Sequence, residues 1–210
     1  STATHLSVNR NNWKWSANFW RRPFYFRKKI LLKNFIDFFH EKIISYDMDY
    51  LINKESQFWT YLSQGQKDLL NEGLYLMDDI VQHQAYQFKD YSFLVFPFAK
   101  AYEGFLKKIF REKGLISRLD YISDHLRMGK LMSPNLIGKL GEDSLYIKIK
   151  EQYSQDLADK VWNVWKNGRN QIFHYFPHNV KAISFSEARG ICMDIIRTIE
   201  EVFLKLNYKD

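Results

Sequence analysis

A chain of 210 residues, 46% hydrophobic, 17% aromatic and 26% charged, has room for one well-packed domain with an appended segment and is neither a multidomain machine nor a disordered chain. Its single cysteine, Cys192, excludes an intrachain disulfide and a cysteine-based zinc site, and points to a reducing, cytoplasmic compartment. A net charge of +7 calls for a polyanionic partner, either nucleic acid or an acidic protein.

The charge is concentrated at one end. Eight basic residues (Arg10, Lys14, Arg21, Arg22, Arg27, Lys28, Lys29 and Lys33) precede the first acid, Asp37, so everything after residue 36 is nearly neutral. Trp13, Trp15, Phe19, Trp20, Phe24, Tyr25 and Phe26 are interleaved with these cations. Such a segment suits stacking on bases together with phosphate contact. Packing of an arm on the domain and binding at a membrane surface are the other readings, and Trp13 to Phe26 has room for a hairpin. The segment has neither the long apolar run of a transmembrane helix nor the apolar core and cleavage site of a signal peptide.

From Lys29 the pattern is helical, with Ile30, Leu31, Phe35, Phe38, Phe39 and Ile43 at three- and four-residue spacing. Residues 46–65 are mixed and end in the breaker Ser63-Gln64-Gly65, which places a module boundary there: an N-terminal extension over 1–65 and a helical domain over 66–210. A second helix is predicted from Gln66 to about Ala85. A third runs from Ser92 to about Lys113, with Phe98, Tyr102, Phe105, Ile109 and Phe110 as its buried stripe, Gly114 as its C-terminal cap, and Pro97 marking either a first turn or a kink. Gly129, Pro134, Gly138 and Gly141 break residues 115–150 into short connector helices. A fourth helix is predicted from Ser154 to about Tyr175, before Phe176-Pro177. The last runs from Ser186 to about Leu206, without a capping box if Ser186 opens it. The fold class predicted is all-α: a bundle of about four long helices with a crossover connection.

On a helical wheel Leu157, Val161, Val164, Trp165, Gly168 and Ile172 form the core stripe of the fourth helix. Arg169, Asn170 and His174 fall on the other side beside Trp162, Lys166 and Phe173, and an aromatic non-core face wants a cover from a partner subunit or a substrate. On the third helix Lys100 and Glu103 likewise lie opposite the apolar stripe. The residues alone leave bland readings open: a histidine at a helix end, a solvated arginine, and an i, i+3 surface ion pair between Lys100 and Glu103. His40, His83, His125 and His178 are scattered and form no ligand set, so no metal and no cofactor is expected. Cys192 sits on an apolar helix as a buried small hydrophobe.

The run Arg169-Asn170-Gln171-Ile172-Phe173-His174, near the end of the penultimate long helix, resembles the signature of the HEPN superfamily: an arginine, a polar residue, and a histidine a few positions on. The stretch from Asp90 to Lys107 and the Phe173-His174 ending look like the catalytic domain of RNase LS-type (RnlA/LsoA) toxins. The resemblance covers residues 66–210 and leaves the first 65 outside it. It implies a metal-independent endoribonuclease, a toxin or phage-defence nuclease restrained by a cognate antitoxin protein, that forms a homodimer with a composite active site and leaves 2′,3′-cyclic phosphate ends. It also implies roles. His174 moves protons at the ribose 2′-hydroxyl or the 5′-oxygen, Arg169 holds the scissile phosphate, Asn170 orients His174 or the phosphate, and Glu103 orients Arg169 or tunes His174. Lys100 takes the place of a family arginine, giving a point charge instead of a planar fork. The alternative is a non-catalytic HEPN-type module that binds RNA or protein, or dimerises, through the same helix.

Overall fold

The computed structural model describes residues 52–83 and 86–208. The basic aromatic segment, its candidate hairpin and the helix expected from Lys29 lie outside the described residues. Within the described residues all regular structure is helical. In chain order the elements are α1 (Gln57–Tyr61), α2 (Gln64–His83), α3 (Ser92–Glu112), α4 (Arg118–Ile122), α5 (Met128–Leu131), α6 (Ile137–Leu140), α7 (Leu145–Gln152), α8 (Gln155–Trp165) and α9 (Phe185–Asn207). The four longest, α2, α3, α8 and α9, pack with α3 at the centre, and the short helices α4 to α7 form the crossover between α3 and α8.

Helix α3 is central because its apolar residues run almost all the way round. Phe98, Tyr102, Phe105, Ile109 and Phe110 are buried as predicted, and Leu94, Val95, Ala101 and Leu106 join them on the flanks. Each large side chain so buried contributes about 1.5–3 kcal/mol. Only Phe93, Phe96 and Lys100 of its first three turns are open to solvent, and Glu103 is half-buried. Pro97 is the sixth residue of the helix, so the carbonyl of Phe93 has no backbone N–H four residues on. The helix ends in a Schellman motif: Gly114 takes φ +71°, its N–H donates to the Arg111 carbonyl at 3.1 Å, and the Leu115 N–H donates to the Phe110 carbonyl at 2.8 Å.

Two boundaries differ from the sequence expectation. The core extends upstream of residue 66, since Ile52, Phe58, Trp59 and Leu62 are buried in the same cluster as α3 and α9. Ser63-Gln64-Gly65 is therefore a helix start inside the module and not its edge: the Ser63 N–H donates to Gln66 Oε1 at 2.9 Å, closing the first turn of α2. Helix α9 begins one residue before Ser186, with Ser184 as N-cap. The Ser184 N–H donates to Glu187 Oε2 at 2.8 Å and the Glu187 N–H to Ser184 Oγ at 3.3 Å, so a full capping box is present where none was expected. No helix among the described residues is long and apolar enough to cross a membrane.

Candidate functional site

Helix α8 is capped by Ser154, whose Oγ accepts from the Leu157 N–H at 3.2 Å. Leu157, Val161, Trp165 and Gly168 form its buried stripe. Tyr102 fixes its height on α3 by donating its hydroxyl to the Val161 carbonyl at 3.2 Å, and the Tyr102 and Trp165 rings lie 6.3 Å apart. Burial pushes the Tyr102 phenol far above its ordinary value, so it acts here as a neutral donor.

The α-helical turn stops at Trp165. Residues Lys166–Asn170 form a π-helical turn, in which the Gln171 N–H donates to the Lys166 carbonyl at 2.9 Å. Gly168 lets this turn lie close on α9: a Cβ there would lie 3.0 Å from Ile195 Cδ1. The helix expected to reach Tyr175 therefore ends near Asn170, and His174 sits in the loop that follows. The wheel that put Asn170 one turn before His174 does not apply. The Asn170 amide lies instead near α5, where a Cβ on Gly129 would be 3.5 Å from Nδ2 and 2.5 Å from Nε1 of Trp165.

Arg169 and Glu103 are brought together. Arg169 Nη2 donates to Glu103 Oε2 at 2.6 Å, and the guanidinium carbon lies 4.8 Å from the centre of the Trp165 ring. Glu103 Oε1 lies 3.3 Å from Lys107 Nζ, so its cations are Arg169 and Lys107 and not Lys100. Lys100 is exposed, three residues before Glu103 and four after Phe96 on the same face of α3. The Phe96 and Phe173 rings meet edge to face at 5.8 Å. The segment from Arg169 to Phe173 thus runs along the solvent-facing edge of α3, with Lys100 between its two attachment points.

His174 is exposed, and no hydrogen bond or ion pair joins it to Arg169, Asn170, Glu103 or Lys100. It lines an open cavity of about 480 Å³ on the far side of Phe96, walled by Phe93 and Phe96 from α3 and by the segment from Ile172 to Tyr175. Asp90 and Asn179 close its polar end.

Asp90 is the residue of the candidate site that spacing did not single out. Its Oδ1 accepts from the N–H groups of Ser92 at 3.0 Å and Ile183 at 3.3 Å, and its Oδ2 accepts from Asn179 Nδ2 at 3.1 Å. The Tyr91 N–H donates to the Ile183 carbonyl at 3.0 Å beside it. Burial works to raise the Asp90 carboxyl, but the hydrogen bonds from Asn179, Ser92 and Ile183 outweigh it and hold the group below its ordinary range. This carboxylate ties the His174 loop to the start of α3. The tie is made under strain, because His178 and Asn179 both adopt positive φ, 59° and 52°. The only local signal is the Asp90-Tyr91-Ser92 entry to a helix, and Asp90's other partners, Asn179 and Ile183, lie about ninety residues away in the chain.

Cys192 is buried against the Leu94 carbonyl as expected, and burial pushes its thiol up. Among the described residues no group of three or more His, Cys, Asp or Glu is placed to hold a metal ion. Comparison with known proteins finds no matching family model, no matching curated protein and no matching solved structure.

Proposed function

We propose that the protein is a metal-independent endoribonuclease of HEPN type, a toxin or phage-defence enzyme held in check by a cognate antitoxin. The observation that carries this is the 2.6 Å Arg169–Glu103 ion pair. It joins the two segments singled out in the sequence, and it holds the guanidinium over Trp165 with its remaining N–H groups free for a phosphate. A guanidinium oriented in advance loses little freedom when it meets an anion, which favours charge stabilisation in a transition state.

In the reaction the ribose 2′-oxygen attacks the adjacent phosphorus, the bond from phosphorus to the 5′-oxygen breaks, and a 2′,3′-cyclic phosphate remains. One proton leaves the 2′-hydroxyl and one reaches the 5′-oxygen. His174, an imidazole at a solvent-open position, can serve either transfer. One histidine per chain fills one role, so a symmetric homodimer with a composite site fills the other with a second copy of His174. Arg169 neutralises the phosphate, Lys100 extends the positive edge along α3, and Glu103 is the positioning residue for Arg169.

A non-catalytic RNA- or protein-binding module is the second reading, favoured by the absence, among the described residues, of a hydrogen-bonding partner that would fix the His174 tautomer. An RNA-cleavage assay with end-group analysis separates the two. The full chain is expected to release cyclic phosphate ends and leave DNA intact. His174→Ala and Arg169→Ala are expected to lose cleavage while keeping their circular dichroism and oligomeric state. Undiminished cleavage by both variants would overturn the enzymatic reading.

A further inference from the structure

We propose that the open cavity beside His174 is a stacking subsite for an unpaired nucleobase, so that the substrate is single-stranded RNA at the point of cleavage. This rests on the ribonuclease reading and gives it a strand form.

Four exposed aromatic side chains converge there: Phe93, Phe96, Phe173 and Tyr175, with Phe96 55% and Tyr175 79% accessible. Surface aromatics grouped around one concavity are unusual in a protein that leaves them bare, and mark a binding site. The walls are built before any ligand arrives. Phe93 is braced by Phe88 at 4.9 Å and by Tyr91, stacked at 6.2 Å, and Tyr91 is itself held edge to face by Phe185 of α9 at 5.7 Å. Phe96 is braced by Phe173. The opposite end is held by the three hydrogen bonds to Asp90 and the Tyr91–Ile183 backbone bond beside them. A volume of about 480 Å³ falls in the range of small-molecule sites and is ample for one planar base.

The charge around the cavity chooses the occupant. Asp90 is the one carboxylate in the lining, and its oxygens are taken up by Ser92, Asn179 and Ile183; beside the rings stand cations, Lys100 one helical turn from Phe96 and Arg169, paired with Glu103, beyond it. Across the loop, Lys181 lies over the Phe176 ring at 4.1 Å. Rings flanked by cations at about one helical turn, roughly 6 Å along the axis, match a polymer that alternates flat bases with phosphates. An aliphatic or acidic peptide would leave one of the two features unused. A base inside a duplex has no free face to offer, and a single strand does. Base stacking is tolerant of sequence. The Asn179 amide, held through its nitrogen by Asp90, keeps its carbonyl oxygen available to a base edge.

The test uses the full chain and a short 2′-O-methyl oligoribonucleotide carrying one 2-aminopurine, which cannot be cleaved and whose fluorescence is quenched on stacking. Phe96 and Phe173 are 55% and 42% accessible and lie outside the buried core, so alanine at either spares the bundle while the Asp90 tie still holds the loop, and Tyr75→Ala, on exposed α2 surface, is the control. Wild type and Tyr75→Ala are expected to quench the probe. Phe96→Ala and Phe173→Ala are expected to bind about tenfold more weakly with much of the quenching lost, the ordinary cost of one stacked base. The same strand in a duplex is expected to bind more weakly than alone. Affinity and quenching equal across all four proteins, binding of the duplex as tight as the single strand, or no binding by wild type would each overturn the subsite. Cleavage of unmodified RNA by wild type is measured alongside. Cleavage without the stacking effect removes the subsite and leaves the enzyme, and the stacking effect without cleavage does the reverse.

Discussion

The two halves of the candidate site are held by different physics. Arg169 rides on a helical turn whose underside is fully buried, with Trp165 and Gly168 packed into the core and an ion pair to α3 above. His174 rides on a loop fastened at two points, a ring contact at Phe96 and a carboxylate tie at Asp90. The Arg169 half is therefore rigid with the bundle, while the His174 half can shift by as much as its two fastenings allow. A base pressed into the cavity between those fastenings would act on the loop half and leave the helix half unmoved.

Substitutions can break this contrast in order of expected effect. His174→Ala should lower the rate of RNA cleavage by about 10²–10⁴-fold with no change in melting temperature, since the side chain is exposed and makes no hydrogen bond among the described residues; cleavage rates and thermal melts check it. Gly129→Ala strikes the helix half from beneath. Its methyl would stand 2.5 Å from the Trp165 indole nitrogen, and the overpacking should cost about 1–3 kcal/mol, read in denaturant unfolding.

Asp90→Asn acts on the loop half alone. It should cost roughly 1 kcal/mol or less and raise amide exchange over residues 171–183 while α9 stays protected. The same tie makes the loop sensitive to acid. A carboxyl lowered by folding stabilises above its unfolded value, about 3.9, and that contribution is lost as pH falls through the lower folded value. Loop protection in wild type should decline across that window, after correction for intrinsic exchange, and Asp90→Asn should show no such step. Smallest of all is Glu103→Gln. The pair is partly exposed, so stability should move by less than about 1 kcal/mol, while the KM for RNA should rise more than kcat falls if Glu103 only positions Arg169.

What could be read in the sequence follows from what has a period. The α3 stripe from Phe98 to Phe110 and the Gly114 cap were legible because burial repeats every three to four residues and a positive φ favours glycine. The end of α8 was not. Ile172 and Phe173 continue an apolar pattern past Asn170 and no breaker appears before Pro177, so a π turn leaves no trace in the spacing. The start of α9 was misplaced because Ser184 and Ser186 are both good caps, and only the reach of Glu187 back to Ser184 separates them. Asp90 and Asn179 were missed for a plainer reason: their meeting is tertiary. Of the five proposed site residues, Arg169 and Glu103 touch, Lys100 stands on the same edge, and His174 and Asn170 face elsewhere because the helix that was to align them stops short.

The π turn at Lys166–Asn170 has a consequence for how this chain tolerates change in length. It holds one residue more per turn than the α-helix around it, and that surplus sets the phase of everything downstream. Deleting a single residue there would let the turn relax to ordinary helix, a gain in regularity, yet it would rotate the following segment by roughly 100° and carry Phe173 off Phe96. A deletion that stabilises the helix and silences the site would be the signature of a turn kept for its phase.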